Sequence, residues 1–218
     1  AGGMLTGNAS SRGWAAAIVV GAGGTNPGNV TNFGGNGANS TFIYTSNVDS
    51  VFPNVTTVGG GGGGAGRNNI DGPGTTLCAG QDGGSGGGGG SHPSGTPTAG
   101  PTYTHPGGTS ASGQGRDGAD GKYFGGSSPN TWYGGGGGGA SLEGGGDPLA
   151  NNSPVGGQTH GGDGNVSSIT GSAVYYAGGG GGALKNNQPG VGGGGGAGRD
   201  GGDGTLIFRV APSSMNIN

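Results

Sequence analysis

Apolar residues in this chain fall in short clusters, and glycine stretches rather than polar loops separate them. Short clusters of apolar, β-branched and aromatic residues predict strand-like segments at 14–20, 40–45, 54–58, 172–177 and 205–210. The first contains Ala15-Ala-Ala-Ile-Val-Val20 and the last is Thr205-Leu-Ile-Phe-Arg-Val210, so strand-containing flanks are expected at 14–58 and 205–210. No stretch repeats apolar residues at the helical period with capping residues around it, so no α-helix is expected.

Between these clusters lie unbroken glycine runs at 59–64, 86–90, 134–139, 178–182 and 192–196. A run of this kind has no side chain on any face, so other backbones can surround it on all sides. The conformation that allows this is a polyglycine (PPII-like) helix, with three residues per turn and a rise of about 3.1 Å. Six glycines then make two turns, roughly 19 Å long. Glycine-rich segments lie near 21–24, 34–37, 59–66, 83–90, 113–121, 134–139, 156–164, 178–182, 192–198 and 201–204. Their spacing is irregular, which excludes a solenoid of fixed period. The expected fold is therefore irregular: one domain spanning 1–218, a compact bundle of about ten short polyglycine II helices with connecting loops and a few short β-strands. In such a bundle Gly61, Gly136, Gly180 and Gly194, central in their runs, form the structural core and tolerate no methyl group.

Composition alone favours a disordered chain. Glycine accounts for 68 of 218 residues, proline for 12, and hydrophobic residues for only 27%. Two features point to folding instead. The charged fraction is 8%, too low to keep a disordered chain well solvated, and the spacers carry Trp14, Phe42, Tyr44, Trp132, Tyr133, Tyr175 and Tyr176. Ordering each backbone residue costs roughly 1–2 kcal/mol. Against that cost, a glycine core offers backbone hydrogen bonds worth about 1 kcal/mol net and Cα–H···O contacts worth about 0.5–1 kcal/mol each. Many short helices must therefore pack together at once.

The net charge of −3 and the scattered basic residues argue against a nucleic-acid partner. No apolar run is long enough for a membrane-spanning helix, so no membrane insertion is expected. Cys78 is the single cysteine, which excludes an intramolecular disulfide. The sequence opens at Ala1 without a methionine or signal peptide, and is expected to be a processed product or a fragment.

No catalytic, metal or cofactor site is expected. Gly83-Gly-Ser-Gly-Gly87 fits the nucleophile-elbow spacing but lacks the strand and helix that give the serine its role. Matches to GxGxxG carry no information at this glycine content. Gly195-Gly-Ala-Gly-Arg-Asp-Gly201 resembles a calcium-binding nonapeptide without the second copy such a site needs. His92, His105 and His160 have no ligand spacing. Asp117, Asp120, Asp163, Asp200 and Asp203 each adjoin glycine and are expected to cap turns. Glycosylation sequons occur at Asn8, Asn29, Asn39, Asn54, Asn151 and Asn165.

The aromatic spacers carry the functional signal. The 91–133 segment is expected to be a long variable loop region, in which Tyr103, His105, Tyr123, Phe124, Trp132 and Tyr133 stand among Pro, Gly, Ser and Thr. Large rigid rings beside small adaptable polar residues are the composition of a binding surface. Trp132 and Tyr133 directly precede a glycine run, so capping the bundle end and contacting a receptor are both open for them. The competing surface is the 26–58 spacer with Phe33, Phe42, Tyr44 and Phe52, whose alternation favours packing.

The ordered set Ile18-Val-Val-Gly-Ala-Gly-Gly24, Gly35-Asn-Gly-Ala-Asn-Ser-Thr-Phe42, Thr57-Val-Gly-Gly-Gly-Gly-Gly-Gly64 and Gly201-Gly-Asp-Gly-Thr-Leu-Ile-Phe-Arg-Val210 resembles the glycine-rich tip domain of bacteriophage tail-fibre adhesins of the T-even type and related phage fibre domains. The resemblance runs from about residue 14 to 210. It implies a layered bundle of polyglycine helices in a virion protein at the distal tail fibre, with loops at one end that bind the host surface. The implied partners are a bacterial outer-membrane protein or surface glycan and the fibre shaft protein, with no enzymatic activity. Nothing before Trp14 matches the segment by which T-even-type adhesins join the shaft, so a cleaved C-terminal domain or another mode of docking is expected. The rival class is an extracellular matrix or filament glycoprotein, which sugars on Asn8, Asn39 or Asn165 would favour. A polyglycine antifreeze protein is a weaker third, because the spacers are too irregular for one flat face.

Overall fold

The computed structural model describes residues 2–6, 16–28, 32–44, 54–65, 78–90, 103–124, 131–145, 159–182 and 202–207. Among these there is no α-helix, and the regular elements are short antiparallel strands. Strands β1 (Ala16–Val19), β2 (Ser40–Tyr44) and β3 (Val55–Thr57) form one sheet in that order. Strands β4 (Tyr103–His105), β5 (Gly121–Phe124) and β6 (Thr131–Tyr133) form a second, and β7 (Asn165–Ser167) pairs with β8 (Val174–Tyr176). Most of the strands carry β-branched or aromatic residues and adjoin a glycine or proline segment, which limits them to a few residues.

Strands β1, β2, β3 and β8 fall inside the strand-like segments expected at 14–20, 40–45, 54–58 and 172–177. The 91–133 region differs from the expected loop, since it supplies β4, β5 and β6. Triplets such as Tyr-Thr-His carry too little pattern to identify a strand, and cross-strand pairing is what makes them one. At the C-terminal flank Thr205–Ile207 is described and is not in a strand, while 208–210 lies outside the described residues.

Few of the described side chains on or beside the sheets are both apolar and buried. Among the described residues the buried apolar ones are Phe42, Ala65, Cys78, Tyr133 and Ala177, whereas Ile18, Val19, Val20, Ile43 and Val55 remain exposed. What is buried is glycine: every residue of 83–90, Ser85 included, and most of 134–139 and 178–182.

The hydrogen bonds of these runs follow a rule of their own. Gly135 and Gly138 donate to the carbonyls of Gly89 and Gly86 (2.8 and 2.9 Å). Gly136 and Gly139 donate to Gly145 and Leu142 (2.9 and 2.8 Å), and Gly137 and Ala140 donate to Gly180 and Ala177 (both 2.9 Å). The partner segment thus changes at each residue and returns at every third one. The 86–90 run behaves alike: Gly86 and Gly89 donate to Arg116 and Ala119, and Gly87 and Gly90 to Gln81 and Cys78. An α-helix would bond within itself, and a β-strand would alternate between its neighbours at a period of two.

Close approach, not backbone angle, is what demands glycine here. A Cβ on Gly61 would strike the Gln81 carbonyl oxygen, and one on Gly136 the His160 carbonyl oxygen, both well inside 3.0 Å. Gly180 is buried and accepts the Gly137 N–H. Gly194 lies outside the described residues. The described glycines in the left-handed region are Gly28, Gly113 and Gly171, and there a Cβ would meet nothing.

Chain direction gives the molecule two distinct ends. From β3 the chain runs through 59–64, and Gly61 and Gly64 donate to Ser85 and Gly88, so 85–88 runs parallel to it. In the same way 116–119 runs parallel to 86–89 and leads into β5. The β4–β5–β6 sheet therefore lies at the end opposite β1–β2–β3. Residues 160–163 run antiparallel to 142–145 and on into β7, which returns β7–β8 to the β1–β2–β3 end.

Candidate binding face on the aromatic sheet

The six aromatic and histidine positions singled out in the 91–133 segment all fall on β4–β5–β6. Tyr103 pairs with Tyr123, which pairs in turn with Trp132, making one register row across the sheet. The next row is Thr104, Lys122 and Tyr133. His105 stands opposite Gly121, and Phe124 opposite Thr131. Neighbouring strands lie about 4.8 Å apart, so three positions in a row span about 10 Å.

The sheet rests directly on the 86–90 run. Cβ atoms on Gly89 and Gly121 would strike the His105 and Gly90 carbonyl oxygens respectively. This close seating divides the expected contact residues. His105 is 1% exposed and Tyr133 3% exposed, so both rings belong to the interior and offer no area to a partner. Thr104 is exposed and Lys122 half-buried. Tyr103, Tyr123, Phe124 and Trp132 have their backbones in the three strands of this sheet.

In the competing 26–58 spacer, Phe42 is buried and Phe33 is 41% exposed. Tyr44 closes β2, and Phe52 lies outside the described residues. The opposite end of the molecule is aliphatic: Ile18, Val19, Val20, Ile43, Val55, Val166 and Leu206 are all exposed there, together with Tyr175.

The acidic residues hold backbone. Asp82 accepts the N–H and hydroxyl of Thr109 (both 2.7 Å), and Asp117 the N–H and hydroxyl of Ser110 (2.7 and 2.8 Å). Asp120 accepts the Gly107 N–H at 3.2 Å and Asp203 the Gly23 N–H at 2.8 Å. The Thr109 bonds hold the Asp82 carboxyl below the ordinary aspartate value, the backbone donor contributing most. Among the described residues no group of three His, Cys, Asp or Glu could hold a metal ion.

Ser85, the centre of the nucleophile-elbow match, is fully buried, and its hydroxyl donates to the Gly139 carbonyl at 3.2 Å. It is a packing residue among glycines. Asn36 and the sequon residue Asn39 have a structural role that was not assigned to them from the sequence. Their carboxamide oxygens accept the N–H groups of Gly62 and Gly59 (2.8 and 2.9 Å), completing a run where no backbone carbonyl does so. Their spacing of three, matching the hydrogen-bond period of the glycine runs, was the available signal.

No helix among the described residues is long and apolar enough to cross a membrane. Comparison of the chain with protein-family models, curated proteins and solved structures gives no match.

Proposed function

We propose that this chain is a receptor-binding tip module of a phage tail fibre, built on a bundle of polyglycine II helices. The three-residue return of hydrogen-bond partners supports the helix reading, because three residues complete one polyglycine turn. Each glycine in a turn then faces a different neighbour, as the donors of 135–140 do.

The observation that carries the functional reading is the gathering of Tyr103, Tyr123, Phe124 and Trp132 on one sheet at one end of the molecule. Rigid aromatics with exposed Thr104 and half-buried Lys122 beside them make a contact face of the paratope kind. In this reading that end is free and recognises a bacterial outer-membrane protein or surface glycan, and the aliphatic end meets the fibre shaft. The module performs no chemistry and needs no cofactor.

Binding of the labelled protein to a panel of bacterial cells tests the reading. Tyr103→Ala, Tyr123→Ala and Trp132→Ala should each weaken binding about tenfold or more, as hot-spot truncations do. Val19→Ser and Ile43→Ser at the opposite end should leave it unchanged. Binding that survives all three aromatic substitutions, or is lost only with the aliphatic pair, rejects the assignment.

A further inference from the structure

Opposite the aromatic sheet, at the aliphatic end, the surface carries a small polar pocket. It holds about 200 Å3 and is lined by Met4, residues 113–116, Ala140 and Asn165. Hydrogen bonds fix its walls. The Met4 N–H donates to the Gln114 carbonyl and the Gln114 carboxamide oxygen accepts the Val58 N–H, both over 2.8 Å, which ties the pocket to the end of β3. Arg116 donates its N–H to the Gly139 carbonyl and accepts the Gly86 N–H, both over 3.0 Å. A Cβ on Gly115 would strike the Gly84 carbonyl and Ser85 hydroxyl oxygens, so the pocket rests on the 83–90 run. The backbone of Arg116 is thus held in place, while the residue is exposed. The neighbouring Asp117 carboxylate is committed to the Ser110 N–H and hydroxyl (2.7 and 2.8 Å). Lys122, the other Lys or Arg among the described residues, belongs to β5 at the far end. In a chain of net charge −3 the pocket is therefore a local positive site. Aliphatic residues surround it: Leu5 and Val166 directly follow lining residues, Leu142 lies two beyond Ala140, and they are 43, 51 and 54% exposed.

We propose that this pocket receives a carboxylate side chain, aspartate or glutamate, from an extended polypeptide partner whose flanking residues are apolar. The guanidinium of Arg116 is always charged, and its planar fork matches a carboxylate through two parallel hydrogen bonds. The Asn165 carboxamide supplies a further donor at the same pocket. The volume suits a single side chain, being below the roughly 300–1,000 Å3 of pockets that enclose a small molecule. Arginine set among exposed aliphatic residues is the make-up of a polypeptide interface, and that surround decides for a protein over an acidic sugar. That the partner is the fibre shaft rests on the receptor-binding reading, which gives this end to the shaft; the carboxylate chemistry stands without it.

Amide chemical shifts of the full-length protein, titrated with the peptide acetyl-Leu-Glu-Leu-amide, test the proposal. The glutamate peptide should give saturable shifts at Gly113, Gly115 and Asn165, and its affinity should fall as salt is raised. The matching glutamine peptide, and glucuronate as a free acidic sugar, should each bind at least about tenfold more weakly. Arg116→Gln should weaken binding of the glutamate peptide about tenfold or more. Arg116→Lys should recover only part of that loss, since an ammonium keeps the charge but not the fork. Unchanged Gly86 and Ser85 amides show that the variants keep the fold, and the comparison of probes on the unmodified protein decides even where a variant does not. Equal binding of the glutamine peptide, full binding in Arg116→Gln, or shifts confined to β4–β5–β6 would overturn the proposal. Glucuronate binding as tightly as the peptide would overturn it as well and give the pocket to a sugar. A null result here, with cell binding still dependent on Tyr103 and Trp132, removes the pocket alone and leaves the receptor-binding reading standing.

Discussion

The N–H of Gly137 donates to the carbonyl oxygen of Gly180 over 2.9 Å, joining two runs that have no side chains to bring together. Among the described residues, contacts of this kind outnumber those between buried apolar side chains. Stability then depends on how closely backbones approach, and the consequences of substitution differ from those in an ordinary domain.

Alanine at Gly61 or Gly136 should lower stability by about 2 kcal/mol or more, because the methyl lands on a carbonyl oxygen that only a shifted run could vacate. Gly178 is the contrast: a Cβ there has ordinary contacts of 3.6 and 4.0 Å. Gly178→Ala should stay within about 1 kcal/mol of the native protein, or stabilise it by restricting the unfolded chain. Thermal melts of the three variants decide. Equal midpoints for Gly136→Ala and Gly178→Ala would refute the packed-backbone account.

Two buried hydroxyls should respond in opposite directions. Ser85→Ala removes the bond to the Gly139 carbonyl and should cost about 1 kcal/mol. The Thr159 hydroxyl is buried without a hydrogen-bond partner, so Thr159→Val should be neutral or stabilising by about 1 kcal/mol. Chemical denaturation of both variants measures the difference in sign.

Acid should weaken the fold partly through Asp82. Its folded value is depressed, so its contribution is fully present above the unfolded aspartate value of about 3.9 and is lost as pH falls through the lower folded value. Asp82→Asn should melt below the native protein at pH 7, and the two curves should converge as pH falls below about 4. A gap that stays constant with pH would show that Thr109 does not favour the charged carboxylate.

His105 and Tyr103, two residues apart on β4, should separate stability from binding. His105 is fully enclosed, so His105→Ala should cost about 2–4 kcal/mol in stability. Tyr103→Ala should leave the melting midpoint within about 1 kcal/mol equivalents and reduce cell binding instead. The reverse pattern would make Tyr103 the structural ring.

Ala177 has φ of 56°, a left-handed conformation in a non-glycine residue at the junction of β8 and the 178–182 run. Glycine adopts this region without the Cβ penalty, so Ala177→Gly should stabilise by about 1 kcal/mol. A lower melting midpoint would mean that the buried methyl contributes more than the strain costs.

The sequence by itself determined which stretches could be surrounded by backbone and which could be strands. Glycine runs carry no side chain to obstruct a neighbour, and Ala16–Val19, Ser40–Tyr44 and Val55–Thr57 have a composition that suits a pleat. It also nominated the aromatic positions of 91–133. Tertiary structure alone decided that Tyr103, Tyr123 and Trp132 share one register row, since each strand of three or four residues acquires its identity from its partner. It also decided that His105 and Tyr133 turn inward, because burial depends on the 86–90 run beneath them. Which run meets which was not legible either. Every glycine offers the same donor and acceptor, so only the tertiary structure distinguishes Gly180 from any other partner of Gly137.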